Sequence, residues 1–202
     1  DGALVTLQVA SLAMVIGVAI GVLLAYGRLS SNRALRMTAA AWVETARNTP
    51  ALFQIYFFYF GLGSFGLRLD PFMALLAGIA FNNAGYLAET FRGGLQAIPP
   101  SQIRAARSLG LSAVQTSVHV VLPQMFRIVF YPMTNQMVWS ILMSSLGVIV
   151  GMTSDLTGVT QELNARTFRT FEFFALAAVL YYAMAKLTIL AARLIGWRLF
   201  RT

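Results

Sequence analysis

Of the 202 residues, 58% are hydrophobic and 11% are charged, and the mean hydropathy is +0.70. A soluble domain carries about 25% charged residues, so an ordinary globular protein is excluded and an integral membrane protein is indicated. The net charge of +8 comes from basic residues scattered between apolar blocks rather than gathered on one polar face, which argues for loop charge and against nucleic acid.

The first span is residues 2–27, which hold no charge and exceed the roughly 20 residues that cross a bilayer core. Gly17 and Gly21 form a small-xxx-small pair suited to close helix contact. The chain opens at Asp1 without Met, so an upstream segment is expected. Arg28, Arg33 and Arg36 mark a short polar link. Residues 39–47 read as helix, with Glu44 and Arg47 spaced for an i,i+3 pair, and Asn48-Thr49-Pro50 ends it.

The second span, 51–66, is rich in Phe and Tyr and short for a straight crossing, so part of the 39–47 helix is expected to share the membrane with it. The third span is 71–88. Asn82 and Asn83 lie in its second half, costly in lipid unless they meet other helices or a polar cavity. Asn82 and Tyr86 share a face at i,i+4, and Glu89 with Arg92 forms a second i,i+3 pair at the membrane surface.

A polar interruption follows, with its centre at 99–124. Ser101 is placed to cap a helix starting near Gln102, and Gly110 to end it in the left-handed conformation. That helix carries Arg104 and Arg107, while Ala105 and Ala106 leave it a narrow, smooth face that a protein groove could accept. The fourth span is 128–154, with Pro132 near its start and Asn135, Gln136, Ser140, Ser144 and Ser145 along it. Residues 155–172 are polar and of both signs, a loop with a short helix. The fifth span is 173–192, interrupted only by Lys186, which is expected to snorkel or to pair with another helix.

One set of loops holds Arg28, Arg33, Arg36, Arg47, Arg92, Arg104, Arg107, Arg127, Arg193, Arg198 and Arg201, and the other only Arg68, Arg166 and Arg169. The positive-inside rule therefore puts the 99–124 segment and the C-terminus in the cytoplasm and the N-terminus outside. With no Cys and a single His119, the chain has neither a thiolate nor a clustered metal site, and no G-x-x-x-x-G-K-[ST] run of its own for a nucleotide. A self-sufficient secondary transporter or channel is the competing reading. It calls for an inverted repeat and an intramembrane acid, and five spans without an internal acid supply neither. A membrane scaffold would not need Asn82, Asn83 and Asn135 inside spans.

Ala105-Ala106, Gly110 and, after nine intervening residues, Val120-x-Leu122-Pro123 resemble the E-A-A-x3-G-x9-I-x-L-P loop of bacterial ABC-importer permeases. Arg47-Asn48-Thr49-Pro50 with Tyr59-Phe60-Gly61-Leu62, Ala84-Gly85-Tyr86-Leu87-Ala88-Glu89 and Arg92-Gly93-Gly94-Leu95-Gln96 are similar, in the same order, to motifs of the polar amino-acid uptake type. The resemblance covers nearly the whole chain. It implies a single permease domain over 1–202, half of a translocation pore for polar amino acids in the inner membrane. It also implies a second permease subunit, identical or homologous, two ATP-binding subunits that hold ATP and Mg, and an extracytoplasmic amino-acid-binding protein.

Asn82, Asn83, Tyr86, Asn135, Ser144 and Ser145 would then line the solute path, and Ser101, Arg104, Ala105, Ala106, Arg107 and Gly110 would couple to the ATPase. Arg104 stands where the family has Glu, so its contact with the partner must differ. Leu142-Met143-Ser144-Ser145 replaces a family run with a charged pair, leaving neutral, releasable contacts for a zwitterion.

Overall fold

The uncharged stretch after Asp1 forms α1, Gly2–Leu29, with Arg28 in its last turn where a cation complements the helix dipole. Asn32 starts the next helix, α2 (Arg33–Asn48), by accepting from the backbone N–H groups of Ala34 and Leu35 at 2.9 and 3.4 Å. Extended Thr49 and Pro50 break the chain before α3, Ala51–Ser64. Asp70 caps α4 (Pro71–Gln96) through the Met73 N–H, and Pro71 takes the first helical position, where a missing N–H costs nothing. Then come α5 (Pro100–Ser108), α6 (Ala113–Val150), α7 (Leu156–Thr167) and α8 (Thr170–Leu199). The computed structural model describes residues 1–200, all of whose regular elements are helical. Arg201, counted above with the cytoplasmic charges, lies outside the described residues.

Four helices, α1, α4, α6 and α8, are long and apolar enough to cross a bilayer. The fifth expected crossing, 51–66, is not one of them. Alone, α3 would reach about 21 Å against a hydrocarbon core of about 30 Å. The column is instead composite. A Cβ on Gly85 of α4 would lie 2.4 Å from Ala46 Cβ of α2, and one on Gly78 would lie 2.6 Å from Ile55 Cγ1 of α3. The broken pair α2–α3 therefore runs antiparallel along α4 as one interrupted helix, with a π turn at Phe57–Gly61.

Helix α4 is the central beam. Gly17 and Gly21 of α1 face it, and a Cβ there would come to 2.5 Å from Asn83 Cβ and 3.0 Å from Leu87 Cβ. The small-residue pair is a packing device, since apolar side chains gain nothing by leaving lipid for each other and close approach must supply the attraction. Val9, Ile55, Leu75 and Ile79 fill one buried cluster, and Phe91, Ile98, Met125 and Val129 another.

Several local expectations are revised. The segment 99–124 is mostly helical, because α6 begins at Ala113 on a Ser112–Gln115 capping box and runs unbroken through a π turn at Ser117–Val121 to a 3-10 end at Ser144–Val150. Pro132 lies within it. Ser101 does not cap α5. Pro99 holds the cap position, Pro100 opens the helix, and Ser101 is already inside it. Glu44 takes the Asn48 amide at 2.9 Å instead of Arg47, whose guanidinium sits 5.6 Å from the centre of the Tyr86 ring. Lys186 forms no ion pair among the described residues. Its ammonium lies 5.2 Å from the ring centre of Tyr182, one turn back on α8.

Candidate solute site and coupling surface

Pro50 has no N–H, so the carbonyl of Ala46, four residues earlier, has no helical donor. Two side-chain amides take its place. Gln54 Nε2 donates to Ala46 O at 2.9 Å, and Asn82 Nδ2 donates to the same oxygen at 3.1 Å. Gln54 also bonds Thr49 Oγ1 at 2.9 Å, and its own oxygen accepts from Asn82 at 3.1 Å. Both amides are buried. Asn82 thus closes a break in the backbone at mid-bundle, where an unpaired carbonyl would cost several kcal/mol. Sequence reading missed Gln54, although a polar amide four residues after a proline inside an apolar span was the signal.

Asn83 points the other way along the same helix turn. Its Nδ2 donates to Ser140 Oγ at 2.8 Å, and its Oδ1 accepts from Gln136 Nε2 at 2.8 Å. Ser140 is fully buried and within 2.9 Å of the Gln136 carbonyl. This clamp ties α4 to α6.

Between the two networks opens a cavity of about 270 Å³, lined by Thr49, Pro50, Asn82, Asn83, Tyr86, Gln136 and Trp139, with Ala51, Ile79 and Met143 as apolar wall. No Asp, Glu, Lys, Arg or His lines it. Irregular backbone at membrane depth is tolerated where it faces a cavity, and the Thr49–Pro50 break fits that rule. Of the expected path residues, Asn82, Asn83 and Tyr86 meet here. Asn135 is exposed on α6, while its neighbour Gln136 turns inward. Ser144 is buried with its hydroxyl donated to Ile141 O at 2.8 Å, and Ser145 donates to Leu142 O at 2.6 Å. None of these three serines and asparagines lines the cavity.

A second site lies at the end of α4. Ile98 is buried beside Phe91, Met125 and Val129, and the stiff pair Pro99-Pro100 leads directly into α5. Of residues 101–110 only Ala106 is buried, so Ser101, Arg104, Ala105 and Arg107 stand on a bare helix. Its end is a Schellman motif. Gly110 adopts φ +87°, its N–H bonds Arg107 O at 3.1 Å, and the Leu111 N–H bonds Ala106 O at 3.3 Å. Arg107 folds back to Leu111 O at 2.8 Å. Arg28, Glu89 and Arg92 brace the base of this end. Arg92 grips Glu89 through Nε and Nη2 at 3.0 and 2.6 Å, and Arg28 of α1 reaches Glu89 at 3.4 Å.

Apolar helices around a neutral cavity, with an uncovered amphipathic helix at one end, define a permease-type transport subunit. Residues 17–201 match the family described as "Binding-protein-dependent transport system inner membrane component", and the chain belongs to that family. It is 34% identical to the probable glutamine ABC transporter permease protein GlnM of Bacillus subtilis over 91% of this chain and 85% of the relative. It is 35% identical to the glutamine transport system permease protein GlnP of Escherichia coli K12 over 90% of this chain and 83% of the relative. A solved structure described as an amino acid ABC transporter with histidines superposes with a TM-score of 0.90 at 31% identity, covering 98% of this chain and 92% of that one. The chain is the permease subunit of an ABC transporter. None of the relatives named here is a secondary transporter.

Proposed function

We propose that the cavity at the α2–α3 break is the solute contact site of an importer for neutral polar amino acids. The observation that carries this reading is the lining: amide, hydroxyl and aromatic groups from three helices with no fixed charge among them. Such groups offer a zwitterion hydrogen bonds that are strong enough to orient it and weak enough to release it. The amino-acid transporters among the relatives support the same solute class. Tyr86 and Trp139 supply the adaptable wall, since both are exposed, whereas Asn82 and Asn83 are held by the networks above. Asn135, Ser144 and Ser145 serve the path only at another stage of the cycle, by movement of α6.

Energy enters from outside the chain. The bare α5 docks with its exposed face, Ala105 included, toward a groove on an ATP-binding subunit, while buried Ala106 seats the helix on its own bundle, and Arg104 meets an acidic group there. ATP and Mg are held by two such subunits, and a second permease, identical or homologous, completes the pore. A binding protein delivers the amino acid from the side of the N-terminus, and the arginine-rich ends lie in the cytoplasm.

The test is glutamine uptake into proteoliposomes holding the complete importer. Tyr86→Ala and Trp139→Ala are expected to raise the half-saturating concentration of the delivered substrate at least about tenfold, a loss of roughly 1.4 kcal/mol. Basal ATP hydrolysis should stay unchanged. Wild-type uptake in both variants would remove the cavity from the path.

A further inference from the structure

Near the C-terminal end of α8, two adjoining hollows of about 630 and 510 Å³ lie between α8 and α6. They share Arg127 and Phe200. The smaller adds Arg193, Tyr131 and Trp197, while the larger is floored mainly by apolar side chains such as Phe130. The helices close tightly here, since a Cβ on Gly196 would come to 3.1 Å from both Phe130 Cε1 and Tyr131 Oη. Phe130 stacks edge-on against Phe200, with ring centres 5.3 Å apart.

Neither arginine has a carboxylate among the described residues. The ion pairs there use Glu89 and Glu162, and the contact found for Arg127 is a long one, 3.4 Å, to the Phe200 carbonyl. Two guanidinium groups beside an amphipathic Tyr–Trp pair, opening onto an apolar groove, demand an occupant with an anionic head and an apolar tail. Tyr and Trp favour the headgroup level of a bilayer, and the arginine count places this end at the cytoplasmic leaflet, which is rich in anionic lipid.

We infer that the hollow between α6 and α8 is a binding site for an anionic phospholipid, its phosphate held by Arg127 and Arg193 and an acyl chain lying along Phe130. Arginine suits this role because its planar fork meets phosphate oxygens in pairs. The solute cavity is lined by other residues, so the inference stands apart from the transport reading.

The experiment uses the complete importer in nanodiscs, with phosphatidylglycerol or phosphatidylcholine as the probe and native mass spectrometry as the readout. Wild type is expected to retain phosphatidylglycerol in preference to phosphatidylcholine. At about a fivefold loss per basic residue near the surface, Arg127→Gln or Arg193→Gln should each weaken retention about fivefold, and the pair about 25-fold. Lys at both positions should keep most of the preference, and Arg33→Gln, outside the groove, should keep all of it.

A direct reading needs no arginine variant. Brominated phosphatidylglycerol should quench tryptophan emission more than brominated phosphatidylcholine, and the difference should vanish in Trp197→Phe. Equal retention of the two lipids, an undiminished preference in the double Gln variant, or displacement of the lipid by millimolar inorganic phosphate would each overturn the assignment.

Discussion

Asn82 and Asn135 are both asparagines in apolar helices, yet burial gives them different work. Asn82 holds the Ala46 carbonyl that Pro50 leaves without a donor, whereas Asn135 is exposed on α6. Asn82→Ala should therefore lower stability by about 0.6–2 kcal/mol, the range for a polar contact between membrane helices. Asn135→Ala should leave the melting temperature of the purified protein unchanged. Equal melting temperatures for the two variants would refute the closure role of Asn82.

Asp155 makes a different argument at the same scale. It is fully buried where it starts α7, accepting from the N–H groups of Thr157 and Gly158 at 3.1 Å each. Burial raises its pKa above the ordinary aspartate value, outweighing the bonds from Gly158 and Thr157 that favour the charge. The folded state thus binds the proton more tightly than the unfolded chain. This group's contribution to stability is greatest in acid and falls as pH rises from the ordinary aspartate range through the raised value. Asp155→Asn keeps a good cap and cannot titrate. A thermal-melt series across pH should be flatter for the variant by this amount, and parallel curves would count against it.

Among the elements, α5 shows what an uncovered helix depends on. Its end is fixed by Gly110 at φ +87°, and a Cβ added there would meet nothing within 4 Å. The cost of Gly110→Ala is therefore backbone strain alone, about 1–2 kcal/mol, and falls on the geometry of the α5 end rather than on the bundle. Melting temperature should change little, while binding-protein-stimulated ATP hydrolysis in proteoliposomes should drop severalfold. Unchanged stimulation would detach α5 from coupling.

Gly110 was legible because a left-handed helix end has a chemical signature, and so were the uncharged first span and the Gly17–Gly21 contact. The start of α5 was not, since Ser101 offers a cap but Pro99-Pro100 fixes the backbone earlier. The start of α6 was obscured because Ala113–Val121 carries Gln115, Thr116, Ser117 and His119, so its polarity masks a helix that continues the span. The composite column was half legible. Pro50 announces the break, but only tertiary contact shows that Gln54 and Asn82 mend it. Gln136 was noted within its span, but nothing in sequence distinguishes its inward face from the outward face of Asn135.

At the scale of the molecule, α4 connects the two sites. It carries Asn82, Asn83 and Tyr86 at the cavity, then Glu89 and Arg92, and finally Ile98 after its last turn, buried beside Met125 and Val129. From Ile98 the chain passes through Pro99 and Pro100 into α5 with no flexible residue between. If α5 couples to an ATPase as proposed, a push on it would be delivered to α4 and α6 together, because two prolines fix their φ angles and cannot absorb the displacement as a hinge. Replacing both with glycine makes that joint soft without removing any buried side chain. The double variant Pro99→Gly/Pro100→Gly should assemble with its ATPase and hydrolyse ATP, yet import less amino acid for each ATP spent. Ile98→Ala, which empties part of the cluster beneath the joint, should instead lower the melting temperature, at a cost of about 2–5 kcal/mol. The two measurements, uptake per ATP and thermal stability, separate a softened linkage from a weakened core. A double glycine variant with the wild-type ratio of uptake to hydrolysis would show that force does not travel through this joint.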